Sequence, residues 1–353
     1  MSRFLQLHFL TSYPPANLNR DDLGRPKTAK MGGVDRLRVS SQSLKRTWRT
    51  SELFKSALNG HIGERTKILG KEVFDRLCAG GVAEKSAKAW SKEIAKQFGK
   101  LKKEDKNKPH NDLEIEQLMH LSRSERDNVD LLVDKLITEI RKPSPEELKL
   151  LRKEGISVDI ALFGRMLASS PEFNIEAACQ VAHAISVHAT MIEDDYFTAV
   201  DDLNTGADTA GAAHIGEAGF AAGLFYSYIC INKALLLENL GNDEALVKKT
   251  IAALTEAALK VSPEGKQNSF ASRAYASYVL AESGDQQPRS LSVAYLKPIA
   301  KDCQDFASEA ITALNTQVSN FDQVYGACAE SRYQLNTVNV EGSLDGLLAF
   351  VSE

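Results

Sequence analysis

The chain opens on a run that alternates. In residues 3–10, RFLQLHFL, Leu5, Leu7 and Phe9 fall on one side and Phe4, Gln6 and His8 on the other. A period of two is that of a strand with one face buried. Residues 11–39 are then broken by Pro14, Pro15, Gly24, Pro26, Gly32 and Gly33. They read as a long loop, unusual inside a compact domain and therefore suspected of function. A helix is expected from about Ser41. Residues 60–155 are charged and helical in pattern, with a lysine-rich stretch at 96–108 and a short helix at EELKLLRKE after Pro143 and Pro145. Residues 158–166, 179–188 and 272–281 read as strands, 242–260 and 299–321 as helices; Phe306, Ala310, Leu314, Val318 and Phe321 share one face of the last. Between EDDYFTAVDD and GLFYSYICIN lies a segment rich in Gly and Ala, so 189–223 reads as a protruding β-hairpin. Strands and helices mixed in this order, with a helical insertion, give an α+β class: helices on a mainly antiparallel sheet.

Charge is distributed unevenly. The 353 residues carry a formal net charge of −4, yet residues 17–49 hold nine bases against three acids. A polyanion would have to be met by such a local patch, because the chain as a whole is no polycation. The five cysteines are scattered and odd in number, forming neither a CxxC pair nor a secreted disulfide framework. The apolar start is too short for a membrane span and lacks a cleavage region, so a reduced cytoplasm is expected.

Within residues 17–49, RLRVSSQSLKRTWR at 36–49 holds five bases and no acid. Ser40 or Ser41 can cap the helix, Leu44 and Trp48 can face a core, and Lys45 and Arg49, four apart, share a neighbouring face. Cations, hydroxyls and the positive helix end then converge on one place, as an anion requires. A basic run is often only a solvated face. The adjoining Gly/Pro loop and the depletion of acids favour phosphate binding.

LNRDD at 18–22, GG at 32–33, RVSSQSLKR at 38–46, DIALFGRM at 159–166, AHAI at 182–185 and YFTAVDDL at 196–203 resemble, in order and spacing, the CasC family. These are the crRNA-binding backbone subunits of the type I-E CRISPR complex Cascade, in the RAMP superfamily. The resemblance implies a modified RNA-recognition (ferredoxin-like) palm with a helical fingers insertion and a β-hairpin thumb. It assigns 1–58, 158–188 and 224–353 to the palm, 59–157 to the fingers and 189–223 to the thumb. It implies a non-catalytic subunit, without metal or cofactor, stacked head to tail along a crRNA guide whose bases pair with target DNA in antiviral defence. The partners implied are the guide, the target strand, copies of the chain and the other Cascade subunits. Arg20, Lys27, Ser40, Gln42, Lys45, Arg46, Arg49, Arg165 and Met166 would bind guide; Phe197, Thr198 and Val200 would wedge beside a displaced nucleotide. Lys142, Lys149, Arg152 and Lys153 are candidates for DNA contact.

Competing readings apply to several of these residues. Met166 could belong to a core, and Phe197 could pack the root of its own hairpin. Asp194, Asp195, Asp201 and Asp202 with His183 or His188 could hold a metal, but strand alternation puts the two histidines on opposite faces. The rival class is a CRISPR RNA-processing endoribonuclease, with His8 as the group that activates a 2′-hydroxyl; no partner for it is evident in the sequence. A free-standing single-strand-binding protein is a third class.

Overall fold

The structure, a computed structural model, describes residues 2–199 and 214–353. In chain order the strands and α-helices are β1 (Phe4–Ala16), β2 (Thr28–Met31), β3 (Val34–Val39), α1 (Ser41–Thr50), α2 (Glu52–Ala57), β4 (Glu64–Thr66), α3 (Leu69–Ala79), α4 (Glu84–Lys96), β5 (Met119–Leu121), α5 (Arg123–Glu139) and α6 (Val158–Phe163). There follow β6 (Cys179–Val181), β7 (Ala184–Ser186), β8 (Glu193–Ala199), β9 (His214–Asn232), α7 (Lys233–Asn239), α8 (Glu244–Lys260), α9 (Gln267–Phe270), β10 (Ala276–Gly284), α10 (Phe306–Tyr325), β11 (Ser331–Asn336) and α11 (Leu344–Val351). The class is α+β. The chain divides into one unit of Met1–Phe54, Val181–Cys230 and Ile251–Glu353, and another of Lys55–Gln180 and Ile231–Thr250.

The first unit is built on a sheet of order β11-β10-β1-β9-β7-β3-β2. β1 runs antiparallel to β10, Phe4 facing Gly284 and Leu10 facing Tyr278, and β10 runs antiparallel to β11. α10 lays Ala310, Leu314 and Val318 on Tyr278, Leu280 and Tyr295. β1 is an inner strand, and every residue from Phe4 to Thr11 is buried. Its second face is therefore closed rather than solvated, and its polar groups are paired inside: the Tyr228 hydroxyl and the Arg289 N–H both donate to Gln6 Oε1 at 2.8 Å.

The expected loop at 11–39 is mostly strand. β1 continues through Pro14 and Pro15, which lie beyond its last pair with β10, Thr11 to Ala276. β2 and β3 form a hairpin whose two turn residues, Gly32 and Gly33, have φ of +61° and +80°. Two consecutive positive φ values define the turn that suits a two-residue hairpin. α10 starts at Phe306, later than expected, because Asp305 caps it by accepting from the Ser308 N–H at 3.0 Å.

The second unit packs α3, α4 and α5 through Leu69, Val73 and Leu77, through Ile94, and through Val129, Val133 and Leu136, spacings of three and four. β4 and β5 make a separate two-stranded sheet. Two expectations fail here. Residues 158–163 form helix α6, not a strand, and Gly164 at φ +78° ends it. A short, continuously apolar run does not distinguish the two, and the helix buries Val158, Ile160, Ala161 and Leu162 completely. Asp159, also buried, accepts from the Gly63 N–H at 2.8 Å and from His120 Nε2 at 2.8 Å. EELKLLRKE forms turns, a bend and irregular chain instead of a helix: adjacent Leu150 and Leu151 are both buried, and the Arg152 N–H goes to Glu125 Oε1 at 2.9 Å.

Candidate nucleic-acid interface

α1 begins where the sequence places it. Ser40 caps it, its Oγ accepting from the Ser43 N–H at 3.3 Å, and Leu44 and Trp48 are buried. What precedes the cap organises the site. Asn19 Oδ1 accepts the Ser40 N–H at 2.9 Å, and its carbonyl accepts the Lys27 N–H at 2.8 Å; the Lys27 carbonyl in turn accepts the Arg38 N–H at 2.8 Å. Asp21 Oδ1 takes the N–H groups of Leu23 and Arg25, each at 2.9 Å, and so shapes the turn after Arg20. Arg20, Lys27 and the start of α1 are thereby tied to one spot through Asn19.

At that spot is a cavity of about 480 Å³ lined by Leu18, Asn19, Arg20, Asp21, Asp22, Gly24, Ser43, Arg46, Thr47, Thr50, Glu264 and Gly265. Arg20 and Arg46 are exposed, and neither they nor Lys27 form an ion pair with a described residue. Such cations cost little to expose and are ready for an anion. Beside them Arg38 Nη1 donates to His183 Nδ1 at 3.1 Å. Burial, with the charges of Arg38 and Lys27, holds the His183 pKa below its ordinary value, so this imidazole is neutral beside the cations.

The basic run is thus sorted by the fold. Arg36 is fully buried and donates to the carbonyls of Ser186 at 2.9 Å, Tyr295 at 2.8 Å and Met31 at 3.3 Å; it holds the core. Burial lowers its pKa. Arg49 is 7% exposed, Lys45 is half-buried, and Gln42 is exposed. Ser40 serves as the cap and is buried.

Arg165 and Met166, adjacent in sequence, part company. Arg165 is buried, its Nη1 on Glu125 Oε2 at 2.6 Å and on the His120 carbonyl, its Nη2 on the carbonyls of Arg152 and Phe173. This guanidinium works inside the second unit, where the reading as a guide ligand needs it at the surface. Met166 is 85% exposed and lines a small cavity with Leu118 and Leu167; it is neither core nor at a strand end. Lys142, Lys149, Arg152 and Lys153 are all exposed, Lys149 pairing with Glu146 at 2.6 Å.

The hairpin pairs β8 with β9 from Glu193 facing Phe220 to Ala199 facing His214. Phe197 faces Gly216, and a Cβ on that glycine would stand 2.3 Å from the Phe197 ring. The ring therefore lies over its own partner strand, with 43% of the residue still exposed. Thr198 is exposed; Val200, with Asp201 and Asp202, lies outside the described residues.

The two histidines of the metal reading are engaged by backbone and by arginine. His188 Nε2 accepts the Leu224 N–H at 3.2 Å while Nδ1 donates to the Ala189 carbonyl at 3.0 Å. Among the described residues no group of three His, Cys, Asp or Glu could hold a metal ion. His8 has the partners that its sequence surroundings hid. Its Nε2 donates to Glu282 Oε2 at 3.2 Å, and Nδ1 faces the Tyr226 hydroxyl at 2.9 Å, with no solvent exposure. Burial, outweighing the attraction of Glu282, lowers its pKa.

The family model of CT1975-like protein matches residues 5–345. The chain belongs to this family. A chain of a solved CRISPR RNA-guided surveillance complex in a pre-nicking state is 27% identical, superposing with a TM-score of 0.84 over 99% of this chain and 100% of that one. A chain of another CRISPR RNA-guided surveillance complex, 23% identical, shares the fold with a TM-score of 0.75 over 99% of each chain. No curated protein gives a significant match.

For this CT1975-like chain, sequence reasoning missed Asn19 as an organiser of the site. Its signal was present in LNRDD, since an Asn before a turn commonly bonds backbone groups. It also missed Glu264 and Gly265, which reach the cavity from far along the chain.

Proposed function

We propose that this CT1975-like chain is a non-catalytic backbone subunit of a CRISPR RNA-guided surveillance complex. It binds crRNA along the edge that carries Asn19, Arg20, Lys27 and the start of α1. The observation that carries the reading is the cavity where Arg20 and Arg46 converge, unpaired, beside a capped helix start. Full-length similarity to a chain of such a complex supports it. Phosphates are met by these cations and by the first N–H groups of α1. The protein reads backbone, and bases held by backbone contacts alone stay free to pair with target DNA.

The finer assignment follows the motif resemblance: a type I-E complex, an RNA-recognition palm, head-to-tail stacking along the guide, and other subunits at its ends. A head-to-tail contact continues as a helical filament rather than closing. Among the described residues no helix is long and apolar enough to cross a membrane. The closed surroundings of His8 count against the endoribonuclease reading, since a general base must reach the scissile phosphate.

The experiment is purification from cells that also express a CRISPR array and the remaining subunits. A discrete guide RNA should copurify, and Arg20→Ala and Arg46→Ala should each flatten the log–log salt dependence of RNA binding by about 0.7. Recovery of no RNA, or slopes unchanged in both variants, would refute the assignment. Specific cleavage of guide precursor by the wild type, lost in His8→Ala, would make the chain an enzyme instead.

A further inference from the structure

The cavity at α1 has two walls. One is the Asn19–Asp22 turn with the Ser43, Arg46, Thr47 and Thr50 face of α1; the other is Glu264 and Gly265. The second wall is the start of a compact loop. Its base is closed by Ser262, whose Oγ accepts the Ala274 N–H at 2.8 Å. Gly265 is pressed onto the first wall, since a Cβ there would stand 2.3 Å from the Leu18 carbonyl oxygen and 2.5 Å from that of Asn17. Farther on, the Phe270 ring lies 6.0 Å from that of Phe220. Loops with closed ends that pack on themselves are frequently functional.

Within this loop, Lys266 and Ala271 bracket α9 with φ of +51° and +48°. Non-glycine residues hold that conformation only where their surroundings impose it, and such residues cluster at binding sites. Lys266, Asn268, Ser269 and Arg273 are exposed, and neither Lys266 nor Arg273 pairs with an acid among the described residues. The loop thus carries two available cations, an amide and a hydroxyl in the segment that continues from the Glu264 and Gly265 lining of the cavity. Those are the side chains that position a nucleic-acid backbone.

We propose that the 263–274 loop is a second phosphate-binding wall of the same site, with Lys266 and Arg273 neutralising backbone phosphates of the single-stranded RNA held by Arg20 and Arg46. The inference rests on the function proposed above and extends it to a segment outside the basic run.

The test uses the purified full-length chain and an unstructured oligouridylate, with affinity measured across a salt series. Lys266→Ala/Arg273→Ala should flatten the log–log slope by about 1.4, that is about 0.7 per lost contact, and the loss should add to that of Arg46→Ala. Lys266→Arg/Arg273→Lys, which keeps both charges, should restore the wild-type slope. Both side chains are exposed, so circular dichroism and the melting temperature should not move. A wild-type slope in the double alanine variant, with Arg46→Ala still flattened, overturns the loop assignment alone. If Arg46→Ala is also unchanged, it is the function proposal that fails. If the double variant keeps its slope but loses self-association on long RNA, the loop is a contact between copies and the proposal is wrong.

Discussion

Arg165→Met separates the structural role of this side chain from the guide-binding role that its GRM setting implies. Arg165 and Glu125 have side chains 2% and 0% exposed, with 2.6 Å between Nη1 and Oε2. Glu125 Oε2 also accepts the Ser122 N–H at 2.9 Å, completing a capping box at α5, and Oε1 accepts the Arg152 N–H at 2.9 Å. Methionine fills much of the volume but strands a buried carboxylate and removes donors from three carbonyls. Removing one partner of a buried pair costs about 3–5 kcal/mol. With a urea slope of about 2 kcal/mol per M, the midpoint of the second unit should fall by about 2 M. The assay is urea denaturation with hydrogen exchange followed at the α5 amides, beside the RNA salt series. Arg165→Met/Glu125→Gln, which leaves no uncompensated charge, should recover much of the loss. A midpoint within about 0.5 M of wild type together with a flattened salt slope would refute the reasoning and return Arg165 to the guide.

Other outcomes follow from the first unit. Gly32→Ala should destabilise it far more than Gly33→Ala: both need positive φ, a cost of about 1–2 kcal/mol, but only at Gly32 would the new Cβ stand 1.7 Å from the Leu296 carbonyl oxygen, while Gly33 faces open space. Equal thermal shifts would refute this packing. Stability should fall on acidification in two stages. His8, its pKa lowered by burial from an ordinary 6.5, stays neutral when folded, so below about 6.5 the unfolded chain takes up a proton that the native one refuses. For Glu282, burial pushes the pKa up, but the hydrogen bonds of His8 and Arg289 prevail and hold it below the ordinary 4.5, so its contribution is lost below about that pH. His8→Gln should remove the first stage only; an unchanged pH profile of the melting temperature would contradict it. Phe197→Ala should leave RNA affinity on a short oligonucleotide almost unaltered but change the nuclease footprint of a guide in assembled complex; an identical footprint would make the ring a simple cover for Gly216.

The class of the fold was legible because its long signals are periodic. The alternation in β1 and the Ala310, Leu314, Val318 stripe of α10 each needed only their own residues to be read. Errors arose where distant partners decide. Residues 158–163 carry no periodicity, and it is the pairing of Asp159 with Gly63 and His120 that belongs to a helix. The Gly/Pro punctuation at 11–39 reads as a long loop. Gly32 and Gly33 instead enable a tight hairpin, and the prolines fall beyond the part of β1 that pairs with β10. β11 and α11 leave only local marks in the sequence: Ser343 caps α11 by accepting from the Gly346 N–H at 3.1 Å, a signal carried by GSLDG.

For the site, charge counting found the neighbourhood but could not sort its members. Arg36, Arg38, Arg46 and Arg49 look alike in sequence, yet they serve respectively as core ties to three carbonyls, a neighbour of a neutral imidazole, a cavity cation and a buried side chain. Strand β3 presents successive residues to opposite sides, so Arg36 and Arg38 share one side and differ only in how deep each lies along the strand. Helix α1 separates Arg46 from Arg49 by three positions, and the burial of Thr47, Trp48 and Arg49 shows that the core side of the helix widens toward its end. On the proposed function, an acidic protein would hold a polyanion with few cations, provided that a fixed element keeps them placed. Here that element is Asn19, whose two oxygens fasten the Arg20 turn to Lys27 and to the helix cap. Losing the Asn19 side-chain oxygen would free the Ser40 N–H without touching a single charge. Binding that weakens in Asn19→Ala while the salt slope stays constant is what such pre-organisation requires.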